Sequence, residues 1–377
     1  MAMLKSIHIQ GFKSIRDARV ELGRVNVLIG ANASGKSNLI AFFRMLREIV
    51  DRKLQLHIAK RGGPNAILHS GGKVTKSLGG EIVVEDSDGL RYPYQFMLEP
   101  SAGNGFIFVK DVYLWPDFVE GVTFPFRSDA GAHEAGIHLD IDSSLKTSAQ
   151  NEVAAVYRSL NEFQFHDTSD SSPMRLAGYI ADNHRMNRDG SNLASVLHKF
   201  AKTKPSFYRR IVATIRQVFP QFDDFVLEPE ALDQNSIRLN WRERSQDTLF
   251  GPHQFSDGTL RFIALATLLL QPEDELPKVI VIDEPELGLH PYAIGVLASL
   301  IKAASRYCQV VIATQSVTLL DQFDAEDVIV VERDPIHNAT EFRRLNADEL
   351  AVWKDEYESP ISLGELWERN IIGGGPH

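Results

Sequence analysis

Cysteine is almost absent from this chain, since Cys308 is the single one among 377 residues. A lone cysteine cannot form an internal disulfide, which favours a reducing compartment. Long apolar runs are missing too, and the longest, from Phe262 to Leu270, is too short to span a bilayer. The N-terminal residues lack the basic stretch and apolar run of a signal peptide. These absences predict a soluble cytoplasmic protein without a membrane partner.

Positive charge is also scarce, because Lys and Arg number 40 against 50 Asp and Glu, for a net charge of −10. This balance argues against a surface coated in basic charge for nucleic acid, although it allows a local patch. Residues 185–216 carry such a concentration, with Asp189 as the only acid: Arg185, Arg188, Lys199, Lys202, Lys204, Arg209, Arg210 and Arg216. Two interpretations stay open: contact with nucleic-acid phosphates, or a solvated or partner-docking helical face.

Alternating apolar and polar residues predict strands in the N-terminal half, and helical spacing predicts helices elsewhere. The strands are residues 4–10, 15–22, 81–85, 92–98, 106–114 and 137–141, with a doubly buried strand at 25–29 and a loop at 60–80. The helices are residues 36–50, 148–160, two within 191–218 divided at Lys204-Pro205, 256–270 and 291–306. Strands 279–283, 310–314 and 328–332 alternate with helices, which implies a parallel sheet. We expect an α/β fold.

A glycine-rich motif lies between the apolar strand and the first helix. Gly30-Ala31-Asn32-Ala33-Ser34-Gly35-Lys36-Ser37 fits the pattern G-x-x-x-x-G-K-[ST]. Its glycines let successive backbone N–H groups face phosphates, Lys36 supplies a cation, and Ser37 supplies a hydroxyl ligand for Mg²⁺. A glycine turn before a helix is the structural alternative. The buried strand before and the amphipathic helix after the motif favour a P-loop that binds ATP.

Two carboxylates follow a second apolar strand. Asp283 and Glu284 come directly after Val279-Ile280-Val281-Ile282, at the end of a parallel strand where α/β sheets bind ligands. Asp283 is the expected Mg²⁺ ligand and Glu284 the expected general base for water. Two acids that begin a surface turn before Pro285 are the alternative, which the P-loop disfavours.

A third motif, Phe255-Ser256-Asp257-Gly258-Thr259-Leu260-Arg261, lies shortly before that strand. Ser256 suits the N-cap of the following helix, and Asp257 places negative charge in its first turn. Taken alone, the motif indicates a well-capped helix. Its position shortly before Asp283 gives it a further meaning.

Together these motifs resemble the ABC-type ATPase heads of the RecF and SMC group, most closely the small stand-alone ATPases related to the OLD family. Ser256-Asp257-Gly258-Thr259 resembles the signature motif, which in such heads binds the γ phosphate of ATP held by the other subunit. Glu284-Pro285-Glu286-Leu287-Gly288-Leu289-His290-Pro291 resembles the extended Walker B motif and D-loop. Lys13-Ser14 resembles the turn that borders the nucleotide base. Residues 189–194 and 362–367 also resemble those relatives.

The resemblance implies one head over residues 1–377, with ATP and Mg²⁺ as cofactors. Residues 1–145 and 275–377 would form the nucleotide-binding lobe, with an antiparallel β subdomain, and 146–274 a helical lobe bearing the signature. A second copy would complete each site through Ser256 and Gly258. The implied catalytic residues are Glu284 and Gln315, the metal ligands Ser37 and Asp283, and the remaining nucleotide ligands Lys13, Gly30, Asn32, Ala33, Ser34, Gly35, Lys36, Ser37 and Asn38.

Three positions depart from the group's pattern. Gln315 stands in Thr314-Gln315-Ser316 where most relatives have histidine; its amide donates hydrogen bonds but carries no charge, so slow hydrolysis is expected. Ala33 replaces a common glycine. The Q-loop has no clear counterpart, because Gln95 fits a surface strand residue better. OLD-family nucleases also append a metal-binding domain, for which the stretch after Ser316 is too short.

Four functions are consistent with these motifs. The leading hypothesis is a dimerising ATP switch that controls a partner effector, such as a toxin or nuclease encoded beside it in phage defence. A second is a slow-hydrolysing, ATP-dependent scaffold for such an effector. A third is a DNA-repair or chromosome-maintenance ATPase that uses the segment 185–216. A small-molecule kinase would leave the motif at Ser256 unexplained.

Overall fold

Two six-stranded sheets form the framework of the chain. The computed structural model describes residues 1–116, 123–127, 130–136, 148–244, 248–346 and 361–375. The antiparallel sheet has the order β2-β1-β4-β5-β6-β7, and the central sheet has the order β18-β17-β3-β16-β15-β8. The central sheet is parallel except for β18, which pairs antiparallel with β17. The α/β fold predicted from the sequence is therefore confirmed.

The strands of these two sheets are β1 Met3–Phe12, β2 Ile15–Glu21, β3 Val25–Ile29, β4 Leu78–Glu85, β5 Arg91–Pro100, β6 Phe106–Pro116, β7 Thr123–Arg127, β8 Asn161–Phe163, β15 Val279–Asp283, β16 Gln309–Thr314, β17 Val328–Asp334 and β18 Ala339–Arg344. Two three-stranded sheets contain β9 Gly178–Tyr179, β10 Phe222–Val226, β11 Pro229–Glu230, β12 Asp233–Ile237, β13 Asn240–Glu243 and β14 Leu249–Phe250. The strand predicted at residues 137–141 lies outside the described residues.

The helices are α1 Lys36–Val50, α2 Leu54–Lys60, α3 Ser148–Arg158, α4 Leu193–Thr203, α5 Pro205–Val218, α6 Asp257–Leu269, α7 Pro291–Ala304, α8 Val317–Leu320 and α9 Leu363–Glu368. The predicted break between the two helices of residues 191–218 falls at Lys204, as expected from the proline that follows it. Within the described parts of the chain, no helix is both long and apolar enough to cross a membrane.

The central sheet is buried on both faces, which explains its nearly continuous apolar strands. Successive side chains of β15 enter different cores: Val279 and Val281 pack with α1 and the antiparallel sheet, whereas Ile280 and Ile282 pack with α6 and α7. Polar residues could not alternate into either face without losing hydrogen bonds. The strand ends, where the chain leaves the sheet, are consequently the positions at which polar chemistry can gather.

The stretch predicted as a helical lobe, residues 146–274, also contributes to the central sheet. Its strand β8 pairs in parallel with β15, and Val153 and Tyr157 of α3 pack in the same core as α1. Helices α4, α5 and α6 and the two small sheets follow β8. The proposed division into two lobes at residue 146 remains a prediction, and the elements just after that residue pack on the P-loop sheet.

Candidate active site

The P-loop connects β3 to α1 at the edge of the central sheet where the parallel strands end. The Nζ atom of Lys36 donates hydrogen bonds to the carbonyl oxygens of Gly30 at 2.5 Å and Ala31 at 3.0 Å. Burial lowers the pKa of Lys36, and the negative charges of Asp283, Glu284 and Glu286 act against this shift. The ammonium group is therefore held inside the loop, within the field of the carboxylates at and after the end of β15.

Both glycines of the motif are required by close contacts. A Cβ atom on Gly30 would lie 2.3 Å from the carbonyl oxygen of Val331, and one on Gly35 would lie 2.1 Å from Oγ1 of Thr340. Gly35 also has φ of +119°, which side chains rarely adopt. Ala33, which stands where a glycine is common, has φ of +64° and so lies in the left-handed region. This conformation costs an alanine about 1 kcal/mol of conformational free energy.

The loop has the features of a phosphate site. The hydroxyl oxygen of Ser34 is buried and has no hydrogen-bond partner among the described residues. No side chain caps the described N-terminus of α1, and its first turn contains no acidic residue. An unsatisfied buried hydroxyl and the positive end of a 15-residue helix both favour an anion. These residues fit the triphosphate of ATP.

A network of hydroxyl and amide groups braces the loop from behind. The Oγ atom of Ser14 and the Oγ1 atom of Thr340 lie 2.7 Å apart. The same Thr340 hydroxyl donates a hydrogen bond to the carbonyl oxygen of Ser34 at 2.8 Å. Asn38, which we predicted as a nucleotide ligand, donates through Nδ2 to Ser14 at 2.6 Å. Lys13 lies beside this network, with its ammonium 5.7 Å from the ring centroid of Phe12. The sequence motifs did not reveal that Thr340 contacts the loop.

Asp283 and Glu284 lie at the end of β15, opposite the P-loop. The Ser37 hydroxyl acts to lower the pKa of Asp283, so the two predicted Mg²⁺ ligands are adjacent. Burial, followed by the charges of Glu284 and Glu162, raises the pKa of Asp283. A carboxylate destabilised by burial and like charge is a favourable partner for a divalent cation. The residues present fit Mg²⁺.

Glu284 is held in an unusual conformation by its neighbours. Its φ of +41° lies in the left-handed region, and its backbone N–H donates to Ala313 at 2.8 Å. The Nε2 atom of Gln315 donates to Oε1 of Glu284 at 2.7 Å. Backbone strain maintained by surrounding hydrogen bonds is typical of catalytic residues. The two predicted catalytic side chains are therefore in direct contact.

A third carboxylate, Glu286, was not predicted as a site residue. Its Oε1 atom accepts a hydrogen bond from the hydroxyl of Thr314 at 2.5 Å and another from the backbone N–H of Gln315 at 3.4 Å. Its Oε2 atom is buried without a partner among the described residues, and burial raises the pKa of the side chain. Glu286 thus links the end of β15 to the turn that carries Gln315.

The signature-like residues begin α6 and contact the D-loop of the same chain. The Ser256 Oγ atom accepts a hydrogen bond from the backbone N–H of Thr259 at 3.2 Å, so Ser256 is the N-cap and its side chain is exposed. A Cβ atom on Gly258 would lie 2.2 Å from the carbonyl oxygen of Gly288. Arg261 donates hydrogen bonds to the carbonyl oxygens of Leu287, Phe165 and His166. Ser256 therefore faces outward beside the D-loop.

The geometry and the motifs agree with a comparison against known families. Residues 25–321 match the family described as "AAA domain, putative AbiEii toxin, Type IV TA system". The chain belongs to this family. No curated protein matched it.

Solved structures show the same fold at low sequence identity. An Smc head bound to the C-terminal winged-helix domain of ScpA has a TM-score of 0.61 and 15% identity, over 93% of this chain and 99% of that chain. An Smc head with an extended coiled coil, bound to the C-terminal domain of ScpA from Pyrococcus furiosus, has a TM-score of 0.61 and 13% identity, over 94% and 99%. At these identities the two structures show the fold of this chain, which is that of an Smc head.

A further polar segment of the chain lies beside these carboxylates. Because β8 pairs with β15, the residues that follow it reach the same sheet edge as Asp283. Glu162 forms a buried ion pair with Arg44, Gln164 donates to Glu162, and His166 Nε2 lies 2.9 Å from the carbonyl oxygen of Asp283. Gln164 directly follows β8 at this edge of the sheet. The three-residue strand β8 was too short to recognise from periodicity.

Gln95, the weak candidate for the Q-loop, lies elsewhere in the chain. It is on β5 of the antiparallel sheet, where it donates to Glu81 at 2.6 Å and accepts from Lys110 at 2.7 Å. Its partners are side chains of the neighbouring strands β4 and β6. Gln95 is therefore a strand residue of the antiparallel sheet, the alternative that the sequence favoured.

Half of the eight basic residues in the segment 185–216 form ion pairs with acids from other parts of the described chain. Lys204 contacts Asp274 at 2.8 Å and Glu275 at 3.3 Å, and Lys199 contacts Glu275 at 2.5 Å. Arg188 also pairs with Glu48, and Arg216 with Asp223. These pairs, invisible in a count along the sequence, reduce the field that this segment presents to phosphates.

Proposed function

We propose that this ATPase is a dimerising switch whose ATP-bound state engages a partner effector. The observation that carries the proposal is the outward placement of Ser256 beside the D-loop. The P-loop, Asp283 and Glu284 converge at one sheet edge, while Ser256 caps a different element and exposes its side chain. A second copy that presents Ser256 and Gly258 to the P-loop would complete each ATP site. Two such sites form by the same symmetric contact.

The residues of the site suit ATP hydrolysis in that closed state. Bound Mg²⁺, held by Ser37 and Asp283, would supply positive charge to the phosphate oxygens. Lys36 would exchange the carbonyl oxygens of Gly30 and Ala31 for phosphate oxygens. Glu284 would accept a proton from the attacking water, and the hydrogen bond from Gln315 would keep its carboxylate in place. Because the Gln315 amide carries no charge, we expect slow turnover and a long-lived ATP state.

An effector partner is supported by the family to which the chain belongs, whose description refers to a toxin–antitoxin system. The Smc heads of the same fold were solved bound to domains of another protein, ScpA. We infer that the ATP-bound dimer of this chain likewise presents a surface to a protein partner encoded beside it, in phage defence. If hydrolysis is very slow, the same dimer acts as an ATP-dependent scaffold rather than a cycling switch.

The test of the switch is the oligomeric state of Glu284→Gln, which retains the P-loop but lacks the carboxylate base. With ATP and Mg²⁺ present we expect the variant to accumulate as a dimer in multi-angle light scattering. Lys36→Ala, which lacks the lysine that contacts the phosphates, is the control. With ATP present it should keep the oligomeric state of the nucleotide-free protein. A Glu284→Gln protein that binds ATP yet remains monomeric at micromolar concentration would exclude the ATP sandwich.

A further inference from the structure

The segment 362–375, beyond the residues that match the family, is folded against the nucleotide site. Its helix α9 begins with a capping box in which Ser362 and Glu365 satisfy each other's backbone N–H groups. Trp367 is buried, and the chain then turns back through Gly373 and Gly374, which have φ of +79° and +66°. Such a turn requires glycine. The segment is a built structural element.

Three hydrogen bonds hold the returning chain, one within the segment and two to neighbouring strands. The indole Nε1 of Trp367 donates to the carbonyl oxygen of Gly374 at 2.9 Å, and the N–H of Gly374 donates to Oε1 of Glu332 at 2.8 Å. Arg343 donates to the carbonyl oxygen of Ile372 at 2.7 Å. Glu332 lies on β17 and Arg343 on β18. The strands that hold the segment are thus those whose Val331 and Thr340 crowd the P-loop glycines.

The returning chain contacts the P-loop itself. A Cβ atom on Gly374 would lie 3.4 Å from the Cα atom of Gly30 and 2.9 Å from Cγ1 of Val330. Gly30 is the first residue of the motif, and its carbonyl oxygen accepts the hydrogen bond from Lys36. The backbone at Gly374 therefore packs against the point from which the phosphate-binding loop departs.

The other end of the segment contacts the element that carries Gln315. Helix α8 begins two residues after Gln315, and Gly364 of α9 packs against it: a Cβ atom there would lie 2.3 Å from Cγ1 of Val317. The N–H of Gly364 also donates to Asp321 at 2.7 Å. A displacement of α9 would consequently release the packing that holds α8 and the turn before it.

A cavity of about 440 Å³ lies between these two contacts. The P-loop residues 30–32 line one side, Gln315 and Val317 line a second, and Trp367 with Glu368 closes the third. The C-terminal segment is thus part of the lining beside the nucleotide site, in addition to its packing on the strands.

We propose that residues 362–375 act as a clasp that positions the P-loop and Gln315, with Trp367 and Gly374 as its positioning residues. This inference rests on ATP binding and not on dimerisation. Because the clasp contacts both sides of the site, bound ATP and the docked clasp stabilise each other, and each weakens when the other is removed. Anything that captures the C-terminal segment would then lower ATP affinity, which gives a partner protein a route to the switch.

Gly374→Ala tests the clasp, and Gly89→Ala is a matched control. Both positions have positive φ, but a Cβ atom at Gly89 meets nothing within 4 Å among the described residues. One at Gly374 would lie 2.9 Å from Cγ1 of Val330 and 3.4 Å from the Cα atom of Gly30, so the segment would have to shift where it packs on the P-loop. Both substitutions place an alanine at positive φ, and the contact of the new Cβ atom differs. We expect Gly374→Ala to bind ATP roughly tenfold more weakly by calorimetry, with the melting temperature of the nucleotide-free protein near that of the control. Equal ATP affinities for the two variants would overturn the proposal.

Hydrogen exchange of the wild-type protein keeps the test decisive if Gly374→Ala folds poorly. ATP with Mg²⁺ should slow exchange of the amides of residues 363–375, and the Lys36→Ala variant should show no such change. Unchanged exchange in the ATP-bound wild type would refute the coupling. This outcome is independent of the oligomer test. If Glu284→Gln binds ATP as a monomer, the dimer proposal fails and the clasp proposal stands. If ATP leaves the exchange unchanged, the clasp proposal fails and the dimer proposal stands.

Discussion

Gln315 donates a hydrogen bond from Nε2 to Oε1 of Glu284 at 2.7 Å, so the residue that departs from the family pattern contacts the proposed base. A neutral amide here orients the carboxylate but cannot exchange a charge with it. We expect Gln315→Ala to lower kcat for ATP hydrolysis roughly tenfold, the scale of a misplaced general base, with little change in KM. Phosphate release measures both values. A native kcat in Gln315→Ala would show that the contact has no catalytic role.

Ala33 holds a left-handed conformation with φ of +64°. Glycine adopts this conformation without steric cost, although it gains more freedom in the unfolded chain. We expect Ala33→Gly to raise the free energy of unfolding by about 0.5 kcal/mol, since a left-handed cost of about 1 kcal/mol is partly offset. Urea denaturation measures the difference. Ala31→Gly, at a position outside the left-handed region, should destabilise instead; a loss of stability in both variants would contradict the account.

Thr340 braces the P-loop through its hydroxyl, which bonds Ser34 and Ser14. Thr340→Val keeps the shape of the side chain and leaves the carbonyl oxygen of Ser34 without this donor. We expect destabilisation of about 1 to 3 kcal/mol and weaker ATP binding. Thr318→Val, on an exposed face of α8, is the control and should behave like wild type. Calorimetric titration with ATP would count against the bracing role if both variants bound equally.

Cys308 reports on unfolding because its thiol is buried. Burial raises the pKa of the Cys308 thiol to about 12, so the reactive thiolate is disfavoured in the folded state at pH 8. The contribution of this pKa shift to the free energy of unfolding is fully present below the ordinary thiol pKa. It is lost as the pH rises towards 12. We expect alkylation by iodoacetamide only as fast as the protein opens. Stoichiometric labelling within minutes, with native circular dichroism, would contradict the buried position.

The compensated charges of the segment 185–216 predict a weak response to DNA. We expect duplex DNA to leave the ATPase rate unchanged at physiological salt. The double charge reversal Arg209→Glu with Arg210→Glu should then hydrolyse ATP like wild type, with or without DNA. Stimulation of the wild type that disappears in the double variant would instead establish a phosphate-binding surface and the repair alternative.

The sequence predicted the parts of the site that depend on local pattern. The P-loop follows one apolar strand, and Asp283 and Glu284 end another. Both strands have helices near them in the sequence, and these patterns are long enough to recognise, so the sequence placed the P-loop and the two carboxylates at strand ends. Residues whose roles depend on distant neighbours were missed. Thr340 is far from Ser34 along the chain, and Glu286 matters because the fold brings Thr314 and Gln315 to it.

Short helices and strands were also difficult to predict from the sequence. The strands of the small sheets that surround α4 and α5 are two to five residues long, and helix α2 lies where no periodicity stands out. The ion pairs of Lys199 and Lys204 with Glu275 join residues that a count along the sequence places in separate segments. Tertiary packing, rather than local preference, decides such features.

The central claim, that each ATP site is built from two copies, has a direct test by mixing two inactive variants. Lys36→Ala loses the phosphate-binding lysine, and Ser256→Arg blocks the signature-like residue, so neither homodimer has an intact site. A mixed dimer has one, formed by the P-loop of one subunit and Ser256 of the other. An equimolar mixture should recover roughly a quarter of the wild-type ATPase rate, because half the dimers carry one of two sites. Persistent inactivity of the mixture, with both variants folded, would contradict the shared site.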